Sequence, residues 1–319
     1  MAVPSGSWQW AKKRFSLLRK FVLIRVGSFM FAVYHDFMKY ANGRPTRLLV
    51  FDLETVPDLE LARAMNSEWA ELEDISVRAK LSAAALEKSG GRSDFLTHPY
   101  HKIVAIGALM VDMAELDGQE SYTLKSLRCI GSEEDSEKVL LEKFGDFCGR
   151  AFEGGQPFRL VSYNGRGFDV PVVKVRALKH GVPLPWLFMA GDKWSNYGSR
   201  YDVTWHMDLA DAMTDFGAAR AMVKLDEACA LVGAPGKLDL DGSWVADLDA
   251  AGELGKVRDY CETDVLNTYI LYLHWQHLVG MLAAESLKRE LSHVMDYLVA
   301  EGEERTHLAD FAAAWEIRG

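Results

Sequence analysis

The segment Arg47-Leu48-Leu49-Val50-Phe51-Asp52-Leu53-Glu54 limits the fold more than any other part of the chain. A short apolar run of this kind reads as a buried strand, and here it runs straight into acids. His101–Asp112 and Ser121–Ile130 carry two further strand patterns, expected as antiparallel neighbours of the first. Between them and the first strand, residues 58–90 are rich in Ala, Leu and Glu and read as helix and loop. Ser132 with Glu133–Asp135 predicts an acidic helix start, and Phe144 and Phe147 continue its apolar face to about Arg150. Phe158–Asn164 is the next strand and Asp169–His180 the next helix. Residues 182–201 read as an irregular excursion, and helices follow to the C-terminus around a Gly/Pro loop at Gly233–Gly242. Three strands, a helix, a strand and then helices predict an α/β fold, a mixed β-sheet flanked by helices. With 319 residues, 49% of them hydrophobic, the chain has the material for a sizeable core, as one large domain or two small ones.

The first 46 residues stand apart. Up to Arg47, nine Lys and Arg residues face one acid, Asp36, although the whole chain carries a net charge of −10. Arg25 interrupts the apolar run here, and the uncharged piece Val26–Tyr34 is shorter than the ~20 residues a membrane-spanning helix needs. The segment reads as an extra helix packed on the domain, a membrane-surface helix over residues 8–40, an organellar presequence, or translated leader ahead of Met38. The expected organisation is therefore a basic extension (1–46), a main domain (47–280) and a C-terminal helical tail (281–319), cytoplasmic unless the extension is a presequence. The acidic balance argues against a general nucleic-acid coat, which is normally basic. It does not exclude an enzyme that grips a chain end. The four cysteines form no CxxC pair, so neither a zinc site nor a disulfide framework is expected. Cys261 reads as a small filler.

Three clusters carry chemistry. Asp52 and Glu54, two apart on a strand, point to one face. Such paired acids repel unless a cation lies between them, and hard oxygen ligands suit Mg²⁺ or Mn²⁺. The alternative is that Glu54 and Asp58 simply open the following helix. The second cluster is Tyr163-Asn164-Gly165-Arg166-Gly167-Phe168-Asp169, with a strand ending at Asn164 and a helix starting at Asp169. An ordinary turn with Asp169 as a helix cap would explain it equally. In the third, Tyr260 and Asp264 share a helix face at i, i+4, a pair common on any helix. Glu262 points away from them and reads as solvated.

Taken in order, these clusters resemble the DEDDy group of DnaQ-like (ribonuclease H-like) 3′–5′ exonucleases. Asp52 and Glu54 match the first motif, Asn164, Phe168 and Asp169 the second, and Tyr260 and Asp264 the third. The closer likeness is to the predicted stand-alone bacterial exonucleases related to the proofreading domain of family B DNA polymerases. It is carried by Phe51–Pro57, Tyr163–Asp169, Asn196–Asp208, Pro235-Gly236-Lys237 and Asp259–Asn267, and covers roughly Arg47 to Leu278. The resemblance implies a ribonuclease H-like fold, two divalent ions (Mg²⁺ or Mn²⁺) and a single-stranded nucleic-acid 3′ end as partner, DNA favoured over RNA. It further implies that Asp52 bridges both ions, that Glu54 and Asp264 complete the first, and that Asp169 reaches the second, while Tyr260 orients the attacking water.

Asn164, Arg166, Phe168, Thr55 and Lys237 are the substrate-binding candidates. Arg159, Arg166, Lys174, Arg176 and Lys179 form a possible phosphate-contact face, and Tyr197, Tyr201 and Trp205 are possible stacking residues, with Trp205 the one expected to be buried. His206 and Asp208 read as a strand end and a helix cap. Two rival functions are an RNA-trimming exonuclease with the same acids and a catalytically inactive nucleic-acid-binding scaffold. Protein partners are not legible.

Overall fold

A computed structural model describes residues 45–152, 157–219, 221–238 and 242–318. The N-terminal extension expected at 1–46, with its proposed membrane-surface contact, lies almost wholly outside them. Strand β1 (Arg47–Pro57) is followed by α1 (Leu59–Met65), α2 (Asp74–Lys88), β2 (His101–Leu116) and β3 (Gln119–Cys129). Next come α3 (Glu137–Ala151), β4 (Phe158–Ser162), α4 (Asp169–His180), α5 (Pro185–Met189), β5 (His206–Asp208) and α6 (Leu209–Met213). The chain then turns helical: α7 (Leu225–Val232), α8 (Val245–Ala250), α9 (Leu254–Leu278), α10 (Ala284–Gly302) and α11 (Thr306–Arg318). The sheet order is β3-β2-β1-β4-β5. β2 runs antiparallel to β1 and β3, whereas β4 is parallel to β1 and β5. This is the mixed sheet flanked by helices that the sequence predicts. Among the described residues no helix is long and apolar enough to cross a membrane.

β1 sits at the centre and is covered on both faces. Leu49, Phe51 and Leu53 pack into one core with α3, α4 and α5, while Leu48 and Val50 face a second core dominated by α9. The period of two therefore sends Asp52 and Glu54 to the α9 side. α10 and α11, set apart in the sequence as a tail, contribute Leu287, Val294, Leu298, Phe311 and Trp315 to that same core.

Two local expectations are corrected. α3 begins at Glu137, not at Ser132, because Ser136 supplies the cap: its Oγ accepts from the Val139 amide at 3.4 Å. Asp135 instead accepts from the Ser132 amide and pairs with Lys143. The excursion over 182–201 contains a short helix, α5, whose Trp186 is buried in the core.

The basic face proposed for residues 159–179 loses three of its five members, Arg159, Arg176 and Lys179, to internal ion pairs. Arg176 is buried, with its guanidinium forked between Glu137 (2.5 and 2.7 Å) and Asp58 (2.6 Å) and a further bond to the Pro99 carbonyl. Lys179 pairs with Asp58, and Arg159 with Glu120 and the Tyr272 hydroxyl. Burial pushes the Asp58 carboxyl up, but Lys179, the Leu61 amide and Arg176 pull it below its ordinary range. Asp58 caps α1 and Glu137 opens α3, so Arg176 ties three helices together. Arg176→Lys keeps the charge but not the fork, stranding a buried carboxylate oxygen. Its expected cost is about 2 kcal/mol, read by urea denaturation.

Candidate active site

Asp52 stands opposite Gly107 of β2. A Cβ on Gly107 would lie 2.9 Å from both the Cys261 Sγ and the Val265 Cγ2 of α9. The missing side chain thus lets α9 approach the sheet beside Asp52, and Cys261 Sγ reaches to 3.6 Å from the Asp52 carbonyl oxygen. Asp52, Glu54 and Cys261 place potential ligand atoms within 4.8 Å of one another. Gly107→Ala is therefore expected to push α9 outward. Overpacking of this kind costs about 1–3 kcal/mol, and a Tm that did not fall would show that α9 does not rest on Gly107.

Asp169 arrives from the start of α4 and Asp264 from α9. Burial pushes the Asp52 carboxyl well up, and the charges of Asp169 and Asp264 push it further. Glu54 rises for the same reasons: burial first, then Asp52, Asp264 and Asp169. Asp52 and Glu54 thus both lie within reach of the charges of Asp169 and Asp264. Burial lifts Asp169 to about 7, although its own amide and that of Leu53 work against the rise. Its Oδ1 is buried with no hydrogen-bond partner. The Tyr260 phenol is nearly buried; burial and the neighbouring Asp264 and Glu54 charges hold it protonated, and it hydrogen-bonds Asp264. A hydrogen bond with Cys129, together with burial, likewise keeps the Cys261 thiol protonated. The donor set is therefore one of hard carboxylate oxygens, converging and largely desolvated, which fits a hard divalent cation such as Mg²⁺ or Mn²⁺.

Motif-like spacing does not explain how Asp169 is aimed. Asn164 adopts a left-handed conformation (φ 62°), and its carbonyl accepts from the Gly167 and Phe168 amides, both at 3.0 Å. A side chain at Gly165 would fall 2.4 Å from the Ser162 hydroxyl, so glycine is required there. Asp208 clamps the turn, accepting from the Asn164 amide at 2.8 Å and the Arg166 amide at 2.7 Å. It also caps α6, as its sequence position predicts. Its hold on the turn, across more than forty residues, has no local sequence signal.

Residues 93–315 match a family described as a predicted 3′–5′ exonuclease related to the exonuclease domain of PolB. The chain belongs to that family. The matched region contains Asn164–Asp169 and Tyr260–Asp264, and begins after Asp52 and Glu54. Among solved structures, the chain is similar to the family B DNA polymerase from the hyperthermophilic archaeon Pyrobaculum calidifontis, at 19% identity and a TM-score of 0.40. That similarity covers 84% of this chain and 27% of the polymerase, so the chain spans about a quarter of the polymerase's length. No curated protein matches it.

The other residues singled out in this exonuclease-family chain fare unevenly. Thr55 Oγ1 is 2.9 Å from His101 Nδ1, and the Phe168 ring meets His101 edge-on at 4.8 Å. Phe168 thereby packs the turn against the single 3₁₀ turn His98–Tyr100, where His98 Nε2 lies 2.9 Å from the Gly167 carbonyl. Arg166 is turned inward, donating to the His206 carbonyl at 2.5 Å. Lys237 is half-buried, and its loop is fastened to α9 by Asn267, which bonds both the amide and the carbonyl of Gly236. Tyr197 and Trp205 are buried and unable to stack on a ligand, whereas Tyr201 is exposed. Glu262, expected in solvent, is buried instead: it accepts from the Cys129 amide at 2.7 Å and pairs with Arg305 and His307 of the C-terminal region. The helix face that seemed free in sequence is the one α11 covers.

Proposed function

We propose that the chain is a two-metal-ion 3′–5′ exonuclease that hydrolyses terminal phosphodiesters of single-stranded DNA and releases nucleoside monophosphates. The observation that carries this reading is that Asp52 and Glu54 of β1 both feel the charges of Asp169 from α4 and Asp264 from α9, beside Tyr260. Those four carboxylates would hold the ions. When bound, a pair of divalent ions acidifies water and stabilises both the attacking and the leaving oxygen.

The chain's own contribution is placement. Asp52 and Glu54 lie on a strand covered on both faces, so their positions are rigid. The Tyr260 phenol is held protonated, which suits it to orient water by hydrogen bonding and not to remove a proton from it. Tyr260→Phe is expected to lower kcat about tenfold, the worth of one hydrogen bond of roughly 1.4 kcal/mol. Calorimetric Mn²⁺ affinity should stay unchanged; a loss of metal would make Tyr260 a structural support for Asp264 instead.

Oligonucleotides labelled at the 3′ or the 5′ end, digested with Mg²⁺, Mn²⁺ or chelator, test polarity and metal need together. Early release of the 3′ label only with metal is the expected result. Matched DNA and RNA strands in the same assay decide the sugar, and faster trimming of RNA would replace the DNA reading with the exoribonuclease one.

A further inference from the structure

Beside the Asn164–Asp169 turn lies a cavity of about 310 Å³ whose lining includes Asn164, Arg166, Lys174, Arg200, His206 and Asp211. Three of these are cations and one is an acid. The acid is already engaged, with Asp211 Oδ2 3.8 Å from Arg166 Nε. Lys174 and Arg200 have no carboxylate within ion-pair distance among the described residues: the Lys174 ammonium lies 5.6 Å from the centre of the Phe188 ring, and Arg200 donates to the Phe216 carbonyl at 2.8 Å. Burial and the charge of Arg166 both push the Lys174 ammonium below its ordinary range. The fully buried His206 also lines the cavity; its Nε2 is 2.8 Å from the Ser162 hydroxyl, while its Nδ1 has no hydrogen-bond partner.

Unneutralised cations gathered around a cavity are the mirror image of the carboxylate cluster, and they call for an anion. Two exposed aromatics say what kind. Phe188 lies under Lys174, and Tyr201 follows Arg200 in the chain; both rings are largely open to solvent. Cations tracking a backbone beside open aromatic faces are the combination that binds an unpaired strand. We propose that this cavity clamps a phosphate of the single strand, away from the scissile bond, with Lys174 and Arg200 as the phosphate-binding cations. The strand is the bearer on the reading given under Proposed function; the anion site itself stands on the geometry above.

The test is binding of the full chain to a fluorescent oligo(dT) in EDTA, where nothing is hydrolysed, as a function of salt. Each cation withdrawn from a phosphate lowers the slope of log affinity against log salt by about 0.7 on a single strand. A K174Q/R200Q double variant should lower the slope by about 1.4 and bind about tenfold more weakly at low salt. The charge-keeping K174R/R200K variant should retain both slope and affinity. Equal losses in the two variants, or an unchanged slope in K174Q/R200Q, would overturn the clamp. Calorimetry with thymidine 5′-monophosphate separates the sources: mononucleotide binding abolished in K174Q/R200Q with strand binding intact would assign the cavity to a free nucleotide and sink the strand reading. If the slope shifts as expected yet no nucleotide is released with Mg²⁺, the clamp stands and the exonuclease reading falls.

Discussion

Asp52→Asn is expected to abolish nucleotide release, by about a thousandfold or more, while the metal-free protein becomes more stable. The two effects share one cause. Burial raises the Asp52 carboxyl, and the charges of Asp169 and Asp264 raise it further. An amide of the same shape removes that repulsion, leaves β1 undisturbed, and takes away a carboxylate that would hold the proposed ions. A loss of roughly 4 kcal/mol of transition-state stabilisation corresponds to a factor of about 10³. Mg²⁺-dependent release from the 3′ end and the Tm in EDTA are the two measurements. A variant that still trims DNA at the original rate, or one whose Tm falls, would mean that Asp52 has a structural role in place of the one proposed.

The stability half of that expectation shows where sequence and structure part company. The pairing of Asp52 with Glu54 was legible because a strand's period of two is a local rule, and so was Tyr260 with Asp264 on a helix. The start of α4 at Asp169 and its end at His180 followed from local pattern in the same way. What was not legible depends on pairs far apart in the chain. Gly107 reads as one more small residue in an apolar strand, yet the approach of α9 rests on it. Asp208 reads as a helix cap, yet it also fixes the Asn164 turn. Arg176 and Arg159 read as surface charge because nothing nearby in sequence is their partner; Asp58, Glu137 and Glu120 reach them only once the sheet has formed. Glu262 misleads for the same reason, since the arginine and histidine that bury it lie some forty residues later.

Adding Mg²⁺ is expected to stabilise the protein more strongly as pH rises from about 5 to 8. A carboxyl whose folded pKa is raised binds more protons folded than unfolded, between the ordinary value near 4 and the raised one. For Asp169 that window runs up to about 7, and Asp52 and Glu54 act in the same direction. In chelator these groups therefore contribute stability that is lost as pH rises, at about 1.4 kcal/mol per pH unit for each proton concerned. Buried His101 and His206 are held below their ordinary value, so their contribution has the opposite sign. They are not part of the proposed ligand set and cancel in the difference between Mg²⁺ and chelator. An ion that binds only the ionised cluster converts the penalty into binding energy, so the Tm gap between the two conditions should widen by several degrees across the range, at about 2–4 °C per kcal/mol for a domain of this size. Asp169→Asn should flatten that widening. A gap independent of pH in the unaltered protein would mean that the four carboxylates do not hold the ion, and the catalytic proposal would lose its physical basis.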